Sequence, residues 1–547
     1  ASIPVNSFFV DPNKVTQFFE KSSEFELNTY YLNNQNVPHI EKFSDGSLIC
    51  IYQSWFEKNP STGSFDSSGI FGQFMDKTGE HIGQHFVINS DQDVIETYPN
   101  DIAVLNNDNF VVVWKNKKFD DPDNPDRISS IKAQIFDKEG NRLGDEFNVH
   151  DYEADSPNTF PNIKPLSDGG FAVVWTKDEL GNGKPDTNYI KVFDESGISV
   201  SGDVVLADHD PQKQYYKPKI DELSNGTLLI SWEINNTGEY TDGIETVILD
   251  KSTMEVIGET NSVSSWYAHN IVALDGGGYV VIWTTDDKTE ESYMTGGDIV
   301  GQVFNNDGVA LGNEFFVNTY ETPIANQTFL SLGNSNDYDY RGVPTITALE
   351  DGGFFVAWFL HDNHKGGSAS DIFGQFFEAD GTKRGPEFQI NHYTKLSQHA
   401  PEAIEVDGGV FISYANNNLY STNHFTDDDF GNLLGKFVPN PTYISGDEGT
   451  PSVVDVRLNT TFVETADNSN TFPRLEIVFD RAVHVEKDGV PVTQILANQS
   501  DILIKHGGPT SSSESGLNDL SFVTQETASN GVWRYDNSFN MLESGMI

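Results

Sequence analysis

Asp121, Asp123, Asn124 and Asp126 place four hard side-chain oxygens within six residues, the donor type that a calcium ion takes. Asp427, Asp428 and Asp429 form a second cluster of the same kind. Neither has the glycine and glutamate placement of an EF-hand loop, so solvated acidic loops are the competing reading. His361 and His364 stand three apart with no helix to present them, a spacing that suits a transition metal less than it suits two exposed loop histidines. Trp266, Tyr267 and Tyr340 offer aromatic faces on which sugars stack, against the plainer role of rim packing. Acidic residues are abundant enough to supply a carboxylate pair for glycoside cleavage, but chain spacing does not give their separation in space. No Gly-x-Ser-x-Gly elbow, phosphate loop or HExxH helix occurs. The sialidase Asp-box is also absent, since Ser167-Asp168-Gly169-Gly170 has the wrong spacing to Trp175.

These candidates lie between the members of an internal repeat. Phe160-Pro-Asn-Ile-Lys-Pro-Leu-Ser-Asp-Gly-Gly-Phe-Ala-Val-Val-Trp175 returns as Val343-Pro-Thr-Ile-Thr-Ala-Leu-Glu-Asp-Gly-Gly-Phe-Phe-Val-Ala-Trp358. The phrase ends on Trp55, Trp114, Trp175, Trp232, Trp283, Trp358 and, degenerately, Tyr414. A second phrase, Ile70-Phe-Gly-Gln-Phe74, recurs as Ile372-Phe-Gly-Gln-Phe376. Each unit parses into four strands. Strand a is Pro-x-Ile-x-x-Leu, and a tight Asp-Gly or Asn-Gly turn leads into strand b, a continuous apolar run. Strand c carries Gly-Gln, and strand d follows a Leu-Gly turn. Four short strands per unit at this period predict a β-propeller of seven blades.

The seventh unit lacks strand d. Glu24-Phe25-Glu26-Leu27-Asn28-Thr29-Tyr30 matches Glu314-Phe315-Phe316-Val317-Asn318-Thr319-Tyr320, so the N-terminus is expected to supply the missing strand and close the ring. The expected fold is all-β: residues 1–22 an N-terminal extension, 23–440 the propeller, and 441–547 an Ig-like β-sandwich. The long d–a and b–c connections should gather on one face, which makes that face the candidate binding surface.

The chain has 547 residues and a formal net charge of −50, which disfavours nucleic acid and anionic membranes as partners. A solvated surface, divalent cations and a cationic partner each account for such acidity. Cys50 is the single cysteine and reads as buried in strand b. No run reaches a membrane-spanning length of about 20 apolar residues. The start at Ala1-Ser-Ile-Pro-Val reads as a processed chain, or one with its secretion signal elsewhere, and the end at Met546-Ile547 as cut from something longer.

The three phrases together resemble the propeller-type repeat of large secreted calcium-dependent bacterial surface proteins and RTX-type adhesins. Leu475-Glu-Ile-Val-Phe-Asp-Arg-Ala-Val483 resembles the strand-turn-strand of bacterial Ig-like modules. The resemblance implies an extracellular or cell-surface setting, Ca2+ dependence and often type I secretion, and it carries no catalytic motif. The first expectation is therefore a non-catalytic surface or adhesin protein, its propeller displaying, assembling with other copies or binding glycans. The alternative is a glycan-acting hydrolase or lyase with carboxylates on the long-loop face.

Overall fold

The computed structural model describes residues 24–28, 35–54, 69–90, 96–121, 124–151, 160–177, 187–206, 213–236, 243–257, 261–263, 267–285, 298–318, 343–362, 369–391, 397–417 and 432–440, with short strands between 453 and 535. Among the described residues every regular element is a strand. Seven antiparallel four-stranded sheets form the propeller. Six are sequential, spanning 35–87, 96–151, 162–205, 213–263, 267–316 and 345–389. The seventh joins Ser397–Val406, Gly409–Asn417 and Asn432–Pro439 to Phe25–Glu26.

Closure occurs as the sequence predicts. Phe25 pairs with Gly435 and Glu26 with Leu434. Leu27 N donates to Leu433 O at 2.9 Å, and Leu433 N donates to Asn28 Oδ1 at 2.9 Å. Phe25 stacks on Phe437 and Leu27 is fully buried, so the short strand is held by packing as well as by its ladder.

Strand b is apolar throughout because its two faces meet different neighbours. In blade 1, Ile49 and Ile51 pack with Ile102, Phe110, Val112 and Trp114 of blade 2, while Leu48, Cys50 and Tyr52 pack with Leu27, Phe411 and Leu433 of blade 7. Burial pushes the Cys50 thiol far above its ordinary pKa, which fits a core residue. The register also corrects one reading. His39 pairs with Ile51 as Asp101 pairs with Val113, so Tyr52 is the counterpart of Trp114 and the first phrase ends there, not on Trp55. The turn from Phe43 to Ser47 closes on the same spacing as that from Leu105 to Asn109 and fixes this register. Trp55 lies outside the described residues.

The Gly-Gln phrase has a steric and a hydrogen-bonding reason. A Cβ on Gly72 would stand 2.7 Å from the Phe86 ring of strand d, and one on Gly301 2.4 Å from Phe315. The glutamine amides reach across to strand d: Gln302 Nε2 donates to Leu311 O at 3.0 Å and Gln134 Nε2 to Gly144 O at 3.3 Å.

Part of the acidity is spent inside the turns. Asp76, Asp194 and Asp250 each accept backbone N–H groups two to four residues on, an Asx-type closure of the c–d turn. Hydroxyls of Thr78, Ser196 and Ser252 donate to the same carboxylates and hold them below the usual range.

The a–b turn of blade 3 supplies a first prediction. Gly169 and Gly170 have φ of 92° and 80°. A Cβ on Gly169 would meet nothing within 4 Å, whereas one on Gly170 would lie 2.2 Å from Phe193 O. Gly169→Ala is expected to cost about 1 kcal/mol of backbone strain. Gly170→Ala adds a backbone clash and is expected to cost roughly 3 kcal/mol or more. Denaturant midpoints of the two variants check this ordering.

Residues from Val438 onward belong to a second compact unit. There, Val453–Asn459, Arg474–Phe479, Trp533–Tyr535, Leu520–Phe522 and Gln494–Ile495 form one five-stranded antiparallel sheet, in that order. Glu486–Lys487 and Val490–Pro491 form a separate hairpin. The second layer expected of an Ig-like sandwich is not among the described residues.

Candidate functional site at the propeller axis

One residue of each strand a, the x of Pro-x-Ile in blades 1, 3, 4 and 6 and its counterpart in the others, belongs to a ring at the axis. In blade order these are His39, Asp101, Asn162, Lys219, Asn270, Thr345 and Glu402, paired across strand a to Ile51, Val113, Val174, Ser231, Ile282, Ala357 and Ser413. The ladder shifts register just before this residue in blades 1, 2, 4 and 7 and one residue earlier in blade 5. A bulge of this kind bends the strand and re-aims the next side chain. The residue two positions before it is left-handed in four blades, with φ of 33° at Phe160, 46° at Lys217, 46° at Ala268 and 51° at Ala400. Non-glycine residues rarely hold such angles, and several around one pocket mark a built feature.

Six of the seven ring residues, all but Asp101, line a cavity of about 50 Å³ with Pro38, Pro161, Pro218, Pro344 and Pro401 beside them. Strand a starts and strand b ends at this end of the axis, so the long b–c and d–a connections attach here. The bulge recurs around the ring, but the side chain it presents changes from blade to blade.

Ring members are stitched to one another. Asp101 Oδ2 accepts from Ile163 N at 3.1 Å and from Asn162 Nδ2, and Asn162 Oδ1 accepts from Ile220 N at 2.9 Å. Thr345 Oγ1 donates to Glu402 Oε2 at 3.5 Å. His39 Nδ1 lies 3.7 Å from Glu402 Oε1 and 4.0 Å from Asp101 Oδ1. Those two carboxylate oxygens are therefore no farther apart than the sum of the two distances. That bound falls below the upper end of the roughly 6.5–9.5 Å carboxyl separation of inverting glycosidases, and it admits the roughly 5–5.5 Å of retaining ones.

Burial pushes the Glu402 carboxyl up to about 7, partly opposed by the Lys219 charge and reinforced by Asp101. Its side chain keeps 38 % of its surface open to the cavity, so the cause is depth within the ring and not full loss of water. Burial likewise raises Asp101 to about 6 against the pull of Lys219. Glu41, one alternation further along strand a, is raised by burial to about 7 despite Lys164. Lys164 itself is paired with Asp221 at 2.6 Å.

The sign of the resulting stability change follows from proton uptake. The folded chain holds the Glu41 proton between pH 4.5 and about 7, where the unfolded chain has released it. Stability from this group is thus complete below pH 4.5 and falls as pH rises through 7. Glu41→Gln is expected to remove that slope, leaving the variant more stable than the parent at pH 8 by on the order of 2 kcal/mol. Urea denaturation at pH 5 and pH 8 checks it.

A second polar cluster borders the cavity. Blade 5 has His269 where five other blades have proline. Its Nε2 lies 2.8 Å from Ser231 Oγ and its Nδ1 3.5 Å from Glu233 Oε1, which also lies 3.5 Å from Lys217 Nζ. The order serine–histidine–carboxylate is that of a nucleophilic triad. Ser231 is wholly buried, however, so no substrate atom reaches its hydroxyl, and the group is an interior polar network.

None of the loop candidates from the sequence joins this site. Asp123, Asp427, Asp428, Asp429, Trp266, Tyr340 and His364 lie outside the described residues. Asp121, Asn124, Asp126, Tyr267 and His361 lie in strands whose side chains at those positions are likewise outside the description. Among the described residues no group of three or more metal-ligating side chains occurs. The ring residues carry a signal in the sequence: this position changes in type from blade to blade while the proline before it and the isoleucine after it mostly recur.

The chain matches no family model and no curated protein. Several solved structures align along it. A protein of unknown function from Dyadobacter fermentans is 11 % identical, with 76 % of this chain and 98 % of that one covered at a TM-score of 0.42. An α-L-arabinanase from Penicillium chrysogenum is 11 % identical, with 62 % and 94 % covered at 0.38. A sialidase from Streptococcus pneumoniae is 9 % identical, with 78 % and 72 % covered at 0.38. At these identities and scores the likeness is one of fold.

Proposed function

We propose that this chain is a glycan-acting hydrolase whose acid–base pair is Glu402 and Asp101 at the long-loop end of the propeller axis. The observation that carries the reading is two carboxyls raised by burial to about 7 and about 6 within reach of one histidine nitrogen, Glu402 lining the cavity and Asp101 beside its wall. Glycoside cleavage needs one carboxyl protonated to assist the leaving group and one ionised to act as base or nucleophile. Glu402, higher in pKa and more open, takes the acid role, and Asp101 the other. His39 stands between them, its Nδ1 within 4.0 Å of an oxygen of each.

A cavity of about 50 Å³ holds roughly four waters, so a sugar ring sits at the mouth with one substituent inserted. A secreted, calcium-dependent setting, implied by the repeat resemblance, belongs to the same proposal. This reading is preferred to inert display because a purely structural axis has no need of a different polar residue in nearly every blade. The test is a panel of arabinans, xylans and acidic polysaccharides incubated with the purified chain, with released reducing ends followed over time. Release that is lost in Glu402→Gln supports the proposal. No release from any member, or equal release by the variant, removes it.

A further inference from the structure

The ring contains one cation with no close counter-ion, Lys219, whose charge acts on Glu402 and Asp101 from a distance. His39 lies against Glu402, Asp101 is bound to Asn162 and the Ile163 amide, and Thr345 donates to Glu402. Asn270 accepts from Ile271 N and donates to Pro344 O. The other two lysines at this end are neutralised, Lys217 by Glu233 and Lys164 by Asp221. Lys219 differs. It lines the cavity, and its charge lowers the pKa of Asp101 and Glu402 without a salt bridge to either among the described residues.

We propose that Lys219 anchors the carboxylate of an acidic sugar, which makes the substrate of this site a hexuronate-containing glycan. The inference rests on the reading of the axis as a glycan site and names its substrate class. A cavity of about 50 Å³ accepts a carboxylate but not a pyranose ring. A neutral substituent placed there would cover the Lys219 ammonium without matching it, leaving a charge stripped of water, and sites built around such a group reject the unmatched ligand strongly. The formal net charge of −50 sharpens the point, because an anionic glycan approaching this chain is repelled at long range and needs a local cation to stay. Asn162 and Asn270 flank the lysine in blades 3 and 5, their amides bound within the ring.

The test reads binding and needs no turnover. Glucuronate and glucose are titrated by ligand-observed NMR into the full chain, into Lys219→Met and into Lys219→Arg, at ionic strength high enough to screen the net charge. The parent is expected to take glucuronate at least about tenfold more tightly than glucose. Lys219→Met should lose that preference while glucose binding stays within about twofold, and Lys219→Arg should keep most of it. Lys219→Met also removes the charge that lowers the pKa of Glu402 and Asp101, so melting curves of both variants are taken to establish that each is folded at the titration temperature. Glucose bound as well as glucuronate, no binding of either, or a preference that survives in Lys219→Met overturns the inference. Lysine-dependent glucuronate binding without hydrolysis by the parent would overturn the hydrolase reading alone.

Discussion

Replacing Glu402 with glutamine is expected to lower kcat on a cleaved glycan by about 10²–10⁴-fold, with little change in KM. The amide keeps the size of the side chain and its acceptor for Thr345 but has no proton to give the leaving oxygen. Asp101→Asn should fall as far, since an amide is no base, yet its carbonyl can still accept from Ile163 N and leave the ring assembled. The two variants therefore separate chemistry from folding: both should lose rate and neither should lose much stability. The pH dependence follows from the same pair. Rate should rise as the lower carboxyl ionises near 6 and fall as the higher one ionises near 7, giving a narrow bell whose limbs belong to the coupled pair. Glu402→Gln retaining more than about a third of the parental kcat would end the assignment, because a general acid contributes at least about 10²-fold.

Removing residues 1–28 is expected to have the largest effect on stability. The deletion strips the outer strand from blade 7, with the buried Leu27 and the Phe25 ring that packs on Phe411 and Phe437. It also removes the backbone bond from Leu27 to Leu433 and leaves Asn432 and Leu433 without Glu26 and Asn28. Leu27→Ala alone should cost about 2–5 kcal/mol, as for other fully buried leucines. The whole deletion exposes an unpaired strand edge, so the expected products are a melting temperature lowered by well over 10 °C and association seen by light scattering. A synthetic peptide spanning residues 22–30 should restore part of both. A truncated chain that melts and remains monomeric like the parent would show that the ring does not depend on this strand.

The fold was legible because its determinants are local and repeated. Asp-Gly turns, the alternation of strand a and the all-apolar strand b each follow from one unit, and the displaced Glu24–Tyr30 phrase revealed closure. Register was less legible: Trp55 looked like the repeat tryptophan, and only the pairing of His39 with Ile51 puts Tyr52 there. The site was not read from sequence for a related reason. Period two says that His39 and Glu41 share a face of strand a, but not that this face meets the axis. Acidic and aromatic loop residues are conspicuous by type alone. The ring residues lie about 60 residues apart in the chain, and only the radial arrangement of blades makes them neighbours.

The most direct measurement is a carboxyl-carbon NMR titration of the Asp- and Glu-labelled chain from pH 4 to pH 9, with Glu402→Gln and Asp101→Asn used for assignment. A carboxyl titrating near 7 that vanishes in the first variant, and one near 6 that vanishes in the second, is the predicted result. Both carboxyls titrating in the ordinary range of about 4–4.5 would contradict an acid–base pair poised at the axis.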